Sequence, residues 1–491
     1  MSKLIVKNKE KYYFVAILLA GILLRLYFQI GHVFSDDAYY SYLSYTFYKG
    51  DFAHNYLGYP IFLLRVTHTY ITAIAFKLFG VNETATLIIP FFISIANLVL
   101  TYKIAKLFTG NNMIALIAML LMAFFPTDII FATINFVDLP NMFFINLGIY
   151  LIFKSYLEKK LYLAVFGGFS FAVSMQIKEN IYYTAILLVV LGMYLVIKKR
   201  NINLQIVIAL VFILLNVFVE GIIYLFLHND FFYRFTILEL NYNYSYYDFF
   251  PYTAQKISGV KNYWRNLFDQ VVVINVRSIF FRRFYLFLPI VGAVQTFLNL
   301  KKKEYLLLTY WFLGTLILLL AFTTSFTEFK PLDLRRSWYI YPLLMPMIIM
   351  SSIFVTRLNL KIRYLLIVIY IAGSVIMCHH YEIFFNKENL TGLKTFLSAN
   401  KDKKIFTDHF TKYSIDLIRK YEDINKSARI AGENFNWKLI KQGDWILYDK
   451  SHVDELKMQK YSFPDFSVLY DKEKYRLVQS FDEFKIFEKR F

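Results

Sequence analysis

The sequence predicts an all-α polytopic membrane bundle of about eleven transmembrane helices, carrying a small C-terminal α/β domain on its outer face. Three observations carry this expectation. The 491 residues are 58% hydrophobic and 20% aromatic with a mean hydropathy of +0.45, well above a soluble globular mixture. Runs of about 18 or more mainly apolar residues recur from residue 12 to residue 380, each long enough to cross a hydrocarbon core of about 30 Å as a helix. They lack the alternation of barrel strands, so helices must satisfy the backbone. Basic residues gather in short clusters between the runs, as the positive-inside rule requires, and this accounts for much of the +19 formal charge without a nucleic-acid partner. A lone cysteine, Cys378, excludes an intramolecular disulfide and a Cys-based metal site.

In chain order, helix 1 spans about residues 12–30, behind Lys3, Lys7, Lys9 and Lys11. No small-residue cleavage site follows it, so it reads as a retained helix with the N-terminus in the cytoplasm. An outer loop over 31–83 contains "IFLLRVTHTYITAIAFKLFG", expected to lie at the interface rather than to cross. Further spans are expected at 84–108, 113–133, 139–157, 161–177, 181–197, 203–227, 284–300, 305–322, 338–356 and 364–380. The clusters Lys103/Lys106, Lys154/Lys159/Lys160, Lys198/Lys199/Arg200, Lys301/Lys302/Lys303 and Arg357/Lys361/Arg363 then all fall in the cytoplasm. A second outer loop, 228–283, is rich in Tyr and Phe. The transmembrane domain is thus 1–384, and 385–491 is an extracytoplasmic domain in which "KIFTD", "WILYD" and "FKIFE" read as strands and "SIDLIRKY" as a helix.

This topology sorts the unexpected charges by side. Asp36 and Asp37 emerge at the outer end of helix 1, Asp138 at the next outer turn, and Lys178 and Glu179 at the one after that. Arg277, Arg282 and Arg283 precede the span at 284, and Arg335 and Arg336 that at 338, all on the outer side and against the charge trend. Each group has a plainer reading: a solvated helix cap for the Asp pair, a turn residue for Asp138, a Lys178–Glu179 pair, headgroup contacts for the arginines. Asp128, inside the third span, reads as a local cap or hydrogen-bond acceptor. Jointly they are less plain, because carboxylates from two loops and cations from three others end at one face, near the depth of a lipid phosphate.

Glycosyl transfer from a polyprenyl-phosphate sugar needs this set. One carboxylate deprotonates the acceptor that attacks the anomeric carbon. The leaving group is a lipid phosphate, whose charge must be met by Arg or Lys or by a divalent cation held by carboxylates. Neither a P-loop nor a Rossmann fingerprint is present, and this chemistry requires no nucleotide site.

At these residues the sequence resembles the membrane-embedded C-type glycosyltransferase (GT-C) superfamily, in the protein O-mannosyltransferase and aminoarabinose transferase branch. The stretches that carry the resemblance are "SDDAYYSYLS", "KLFGVNETATLIIPFFISIANLVLTYKIAKLF", "FATINFVDLPNMFFINLGIYL", "GGFSFAVSMQIKEN" and "RRSWYIYPLLMP", covering about 12–200 and 330–350. It implies that Asp36 is the catalytic carboxylate with Asp37 beside it, and that Asp138 is a partner carboxylate that positions the acceptor or, with Asp36, a metal. It implies Lys178 and Arg336 as phosphate-side cations; Arg335, Arg282 and Arg283 are further phosphate-binding candidates by their placement on the outer face. Relatives carry Lys-Pro near the juxtamembrane helix; here Tyr59 precedes Pro60, and Arg65 is the nearest cation.

The expected function is therefore transfer of a hexosyl or pentosyl unit from a polyprenyl-phosphate donor to a glycan, lipid or protein acceptor outside the cytoplasm, with inversion. The protein would sit among membrane lipids, in the plasma membrane of a prokaryote. Two alternatives from the same charges are a lipid-linked glycan flippase and an oligosaccharide ligase or polymerase.

Overall fold

The computed structural model describes residues 2–51, 60–200, 202–244, 286–299, 303–321, 341–430, 435–450, 453–454 and 464–491. Within them the chain is a helical bundle followed by a small sheet domain. Helix α1 (Ser2–Tyr27) leads through a loop to α2 (Asp36–Lys49), the 3-10 turn Pro60–Leu64 and α3 (Val66–Phe79). At 14 residues α3 is about 21 Å long, too short to cross a hydrocarbon core, and it packs between α2 and α4 (Glu83–Thr109).

The run predicted as one span over 113–133 is instead two helices, α5 (Asn112–Ala123) and α6 (Pro126–Phe131). Pro126 is the physical cause, since it has no N–H to donate and its ring blocks the preceding turn. Next come α7 (Asp138–Glu158), α8 (Leu161–Met175), α9 (Ile181–Lys199), α10 (Leu204–His228) and α11 (Tyr233–Tyr244), then α12 (Phe287–Leu298), α13 (Lys303–Ala321), α14 (Tyr341–Arg357) and α15 (Leu360–Phe384). Among the described residues, four helices are long and apolar enough to cross a membrane: 83–109, 181–198, 204–228 and 360–384. Shorter apolar helices stand beside them, so helix length alone does not yield the expected eleven spans.

Small residues bring α8 against its neighbours. A Cβ built on Gly148 would lie 2.3 Å from the Phe171 ring, and one on Gly168 would lie 2.8 Å from Phe212. The α7–α8 hairpin and the α8–α10 contact are therefore close glycine-mediated packings, as expected between helices in lipid.

Beyond α15, α16 (Lys387–Ala399) and α17 (His409–Ile418) accompany a five-stranded sheet: β1 (Ile405–Thr407), β2 (Ser427–Arg429), β3 (Trp445–Asp449), β4 (Tyr475–Phe481) and β5 (Phe484–Lys489). The strand order is β2-β1-β3-β5-β4. β1 pairs in parallel with β2 and β3, and β5 pairs antiparallel with β3 and β4. The three segments read as strands are β1, β3 and β5, and the segment read as a helix begins within α17. This domain grips α2: Tyr42 stacks on Tyr413 and Tyr45 on Tyr421, each with ring centroids 4.2 Å apart.

Candidate active site

The site grows from three helix termini. Asp36 opens α2, Asp138 opens α7, and Lys178 follows the end of α8. The α7–α8 hairpin brings the last two together. Asn141 locks its open end by donating to the Ser174 and Lys178 carbonyls at 2.9 and 3.0 Å. Lys178 Nζ then meets Asp138 Oδ1 at 2.5 Å, both side chains about nine-tenths buried. Asp138 is thus an ion-pair partner rather than a cap, and Lys178 pairs with it rather than with Glu179.

Arg65 enters from the junction between Pro60–Leu64 and α3. It donates to the Tyr40 hydroxyl, lies over the Tyr40 and Phe62 rings at 5.8 and 5.7 Å, and approaches Glu179 at 4.0 Å. Asp36, Asp138, Lys178 and Arg65, predicted from separate segments, therefore converge: the charges acting on Asp36 are Arg65, Asp37, Lys178 and Asp138. Arg277, Arg282, Arg283, Arg335 and Arg336 lie outside the described residues.

The two adjacent aspartates differ sharply. Asp36 keeps an exposed surface yet is walled by protein, so it lines a recess. Loss of surrounding water pushes its carboxyl up to about 6; Arg65 opposes the rise and Asp37 adds to it. Asp37 is fully buried and accepts from the Val33 and Ser35 amides at 2.7 and 2.8 Å, with His32 Nδ1 at 2.6 Å. Burial alone would raise its pKa, but the His32 charge and these hydrogen bonds outweigh burial and lower it.

Sequence reasoning missed two buried ion pairs. Asp128 is not a local cap: it meets Arg25 of α1 at 2.5 Å, with Ser94 and Asn97 also on its carboxylate. An arginine inside one apolar run and an aspartate inside another was the available signal. Glu220 of α10 pairs with Arg234 of α11 at 2.6 Å, and Arg234 also donates to the Leu64 carbonyl beside Arg65. His68 of α3 is buried against Tyr40, and burial lowers its pKa to about 4, leaving the ring neutral.

Residues 66–224 match the family model described as dolichyl-phosphate-mannose-protein mannosyltransferase. The fold is similar to ArnT from Cupriavidus metallidurans bound to undecaprenyl phosphate, with a TM-score of 0.59 at 12% identity over 96% of this chain and 97% of that one.

The chain shares the GT-C fold.

A second GT-C neighbour is the Archaeoglobus fulgidus oligosaccharyltransferase in complex with zinc and sulfate, with a TM-score of 0.53 at 12% identity over 83% of this chain. This chain spans only 61% of that protein's length. The same archaeal enzyme, AglB, in complex with an inhibitory peptide and a dolichol-phosphate, matches with a TM-score of 0.51 at 11% identity over 84% of this chain and 64% of that one. No curated protein matches in sequence. The GT-C fold is thus carried by shape and by one stretch of family signal.

Among the described residues, the carboxylates around Asp36 do not form a donor set for a divalent cation. Asp138 is engaged by Lys178, and Asp37 is consumed by His32 and two amides, which leaves Asp36 as the one open carboxylate of the three. No group of three or more His, Cys, Asp or Glu suited to a metal occurs among the described residues.

Proposed function

We propose that this protein is a membrane glycosyltransferase that moves a monosaccharide from a polyprenyl-phosphate donor to a glycan, lipid or protein acceptor on the extracytoplasmic side, inverting the anomeric carbon. The observation that carries this reading is the contrast at the recess. Asp36 is open and proton-accepting near neutral pH, and Arg65 and Lys178 stand beside it. A base needs a pKa near the working pH, and a leaving phosphate needs fixed positive charge. The lipid phosphates bound by two structural neighbours support the same donor class.

In this mechanism Asp36 accepts the proton of the acceptor hydroxyl or amide as its oxygen or nitrogen bonds to C1 of the sugar. The C1–O bond to phosphate breaks, and its electron pair leaves on the phosphate, where Arg65 and Lys178 stabilise the charge. Asp138 holds Lys178 in place beside the leaving group. Asp37 holds the turn that presents Asp36. The prenyl chain lies along the apolar helices, with the N-terminus cytoplasmic and the sheet domain outside.

The test is transfer of label from a panel of radiolabelled undecaprenyl-phosphate hexoses and pentoses in membranes holding wild-type protein or Asp36→Asn at equal level. Loss of transfer in the variant supports the reading and identifies the donor. Equal transfer by both assigns Asp36 to a solvated cap, and no transfer by wild type from any donor overturns the reading.

A further inference from the structure

The loop before Asp36 is held by the C-terminal domain at three points. Ser414 Oγ of α17 lies 3.0 Å from His32 Nε2, and the opposite ring nitrogen of His32 lies 2.6 Å from Asp37. Lys394 of α16 donates to Glu83 Oε1 at 2.6 Å, and the same oxygen accepts the His32 backbone N–H at 2.6 Å. Phe34 is buried at 4% exposure in a cluster with Leu393, Ile405, Trp445 and Phe484 of the sheet domain.

Phe34 also has a φ of +62°. A bulky side chain in the left-handed region is strained and persists only where its surroundings over-determine it. Here the surroundings are the core of another domain, two residues before the open carboxylate. The Ser414, His32 and Asp37 line is not a nucleophilic triad, because Ser414 is completely buried and no substrate atom can reach its hydroxyl.

We infer that the C-terminal domain is a positioning device for the transfer reaction: Ser414 through His32 and Asp37, and the domain core through Phe34, set where Asp36 stands in the recess. The inference rests on the reading of Asp36 as the base. Ser414, His32 and Phe34 are positioning residues, since all three are buried away from substrate. A base displaced by about 1 Å loses on the order of a hundredfold in rate.

The experiment compares full-length wild type, Asp36→Asn, Ser414→Ala, Ser414→Thr, Phe34→Ala and Tyr42→Leu. It uses the radiolabelled undecaprenyl-phosphate sugar that wild type transfers, and pairs kcat and KM with a melting curve for each variant. Ser414→Ala should lower kcat tenfold or more at unchanged donor KM and at a melting temperature close to wild type; Phe34→Ala, which empties a core position, should lower kcat likewise at unchanged donor KM with a reduced melting temperature. Ser414→Thr, which restores the hydroxyl, should recover the rate. Tyr42→Leu loosens the same docking surface away from the loop and should keep the wild-type kcat. Wild-type kcat in both Ser414→Ala and Phe34→Ala, with Asp36→Asn inactive, overturns the positioning role alone. An equal loss in Tyr42→Leu does so too, by reducing the contact to general docking. Full activity in Asp36→Asn, or no transfer by wild type, overturns the reading of the site beneath it.

Discussion

Asp36 and Asp37 are neighbours in sequence with opposite fates, and the difference is testable by pH. With the Asp36 carboxyl raised to about 6, kcat/KM for transfer should climb as pH rises through about 6 and level off above it, measured between pH 4.5 and 8.5. The sign for stability is the reverse. A folded-state pKa above the unfolded value means the folded form holds the proton more tightly, so this contribution is present at low pH and lost as pH rises through about 6. Asp36→Asn should therefore raise the melting temperature at pH 7.5 while abolishing transfer. The lowered pKa of Asp37 contributes stability above the usual carboxylate range, lost as pH falls. Asp37→Asn should cost about 3 kcal/mol, because His32 and two amides lose a charged acceptor. Which of the two aspartates is open was not legible from "SDDAYY", since it depends on the backbone of residues 31–35 and on His32.

Between elements, the Arg25–Asp128 pair ties α1 to α6, and Ser94 brings in α4. Arg25→Met leaves a buried, unpaired carboxylate and should destabilise the detergent-solubilised protein by about 3–5 kcal/mol. The double variant Arg25→Met/Asp128→Leu should lose less than the sum of the two single changes, the signature of a coupled pair. The α7–α8 hairpin links packing to chemistry. Gly148→Leu drives a side chain into Phe171 and should cost about 1–3 kcal/mol. Because this hairpin sets the Lys178–Asp138 contact, kcat/KM should fall in the same variant while Asp36 is intact. The glycines and the terminal charges were readable in the sequence. The break at Pro126 was readable as well, but the apolar run across it outweighed one proline.

At the scale of the molecule, orientation and metal use each carry a prediction. Cys378 is buried, so single engineered thiols can report sidedness. Lys472→Cys in the sheet domain should react with a membrane-impermeant maleimide in intact cells, and Lys160→Cys, at the turn between α7 and α8, only after permeabilisation. Reaction of the two in the opposite order would invert the topology and remove the extracytoplasmic site. Since the described carboxylates around Asp36 do not form a donor set for a divalent ion, membranes washed with EDTA should transfer label at the untreated rate; loss of transfer restored by added cation would assign Asp36 and Asp138 a metal.

By itself the sequence determined the membrane bundle and the three strand segments of the C-terminal part, and it marked Asp36, Asp138, Lys178 and Arg65 as candidates. Hydrophobic run length, charge bias and residue chemistry are local properties that survive without a fold. Only the tertiary structure decided that Asp36 is open while Asp37 is held by His32 and Asp138 by Lys178, that Arg25 answers Asp128 across about a hundred residues of chain, and that the sheet domain reaches back to the loop before Asp36. Each of these depends on which groups meet at long sequence separation. A pKa, an ion pair or a strained φ is set by the neighbours that packing supplies, not by those the chain supplies.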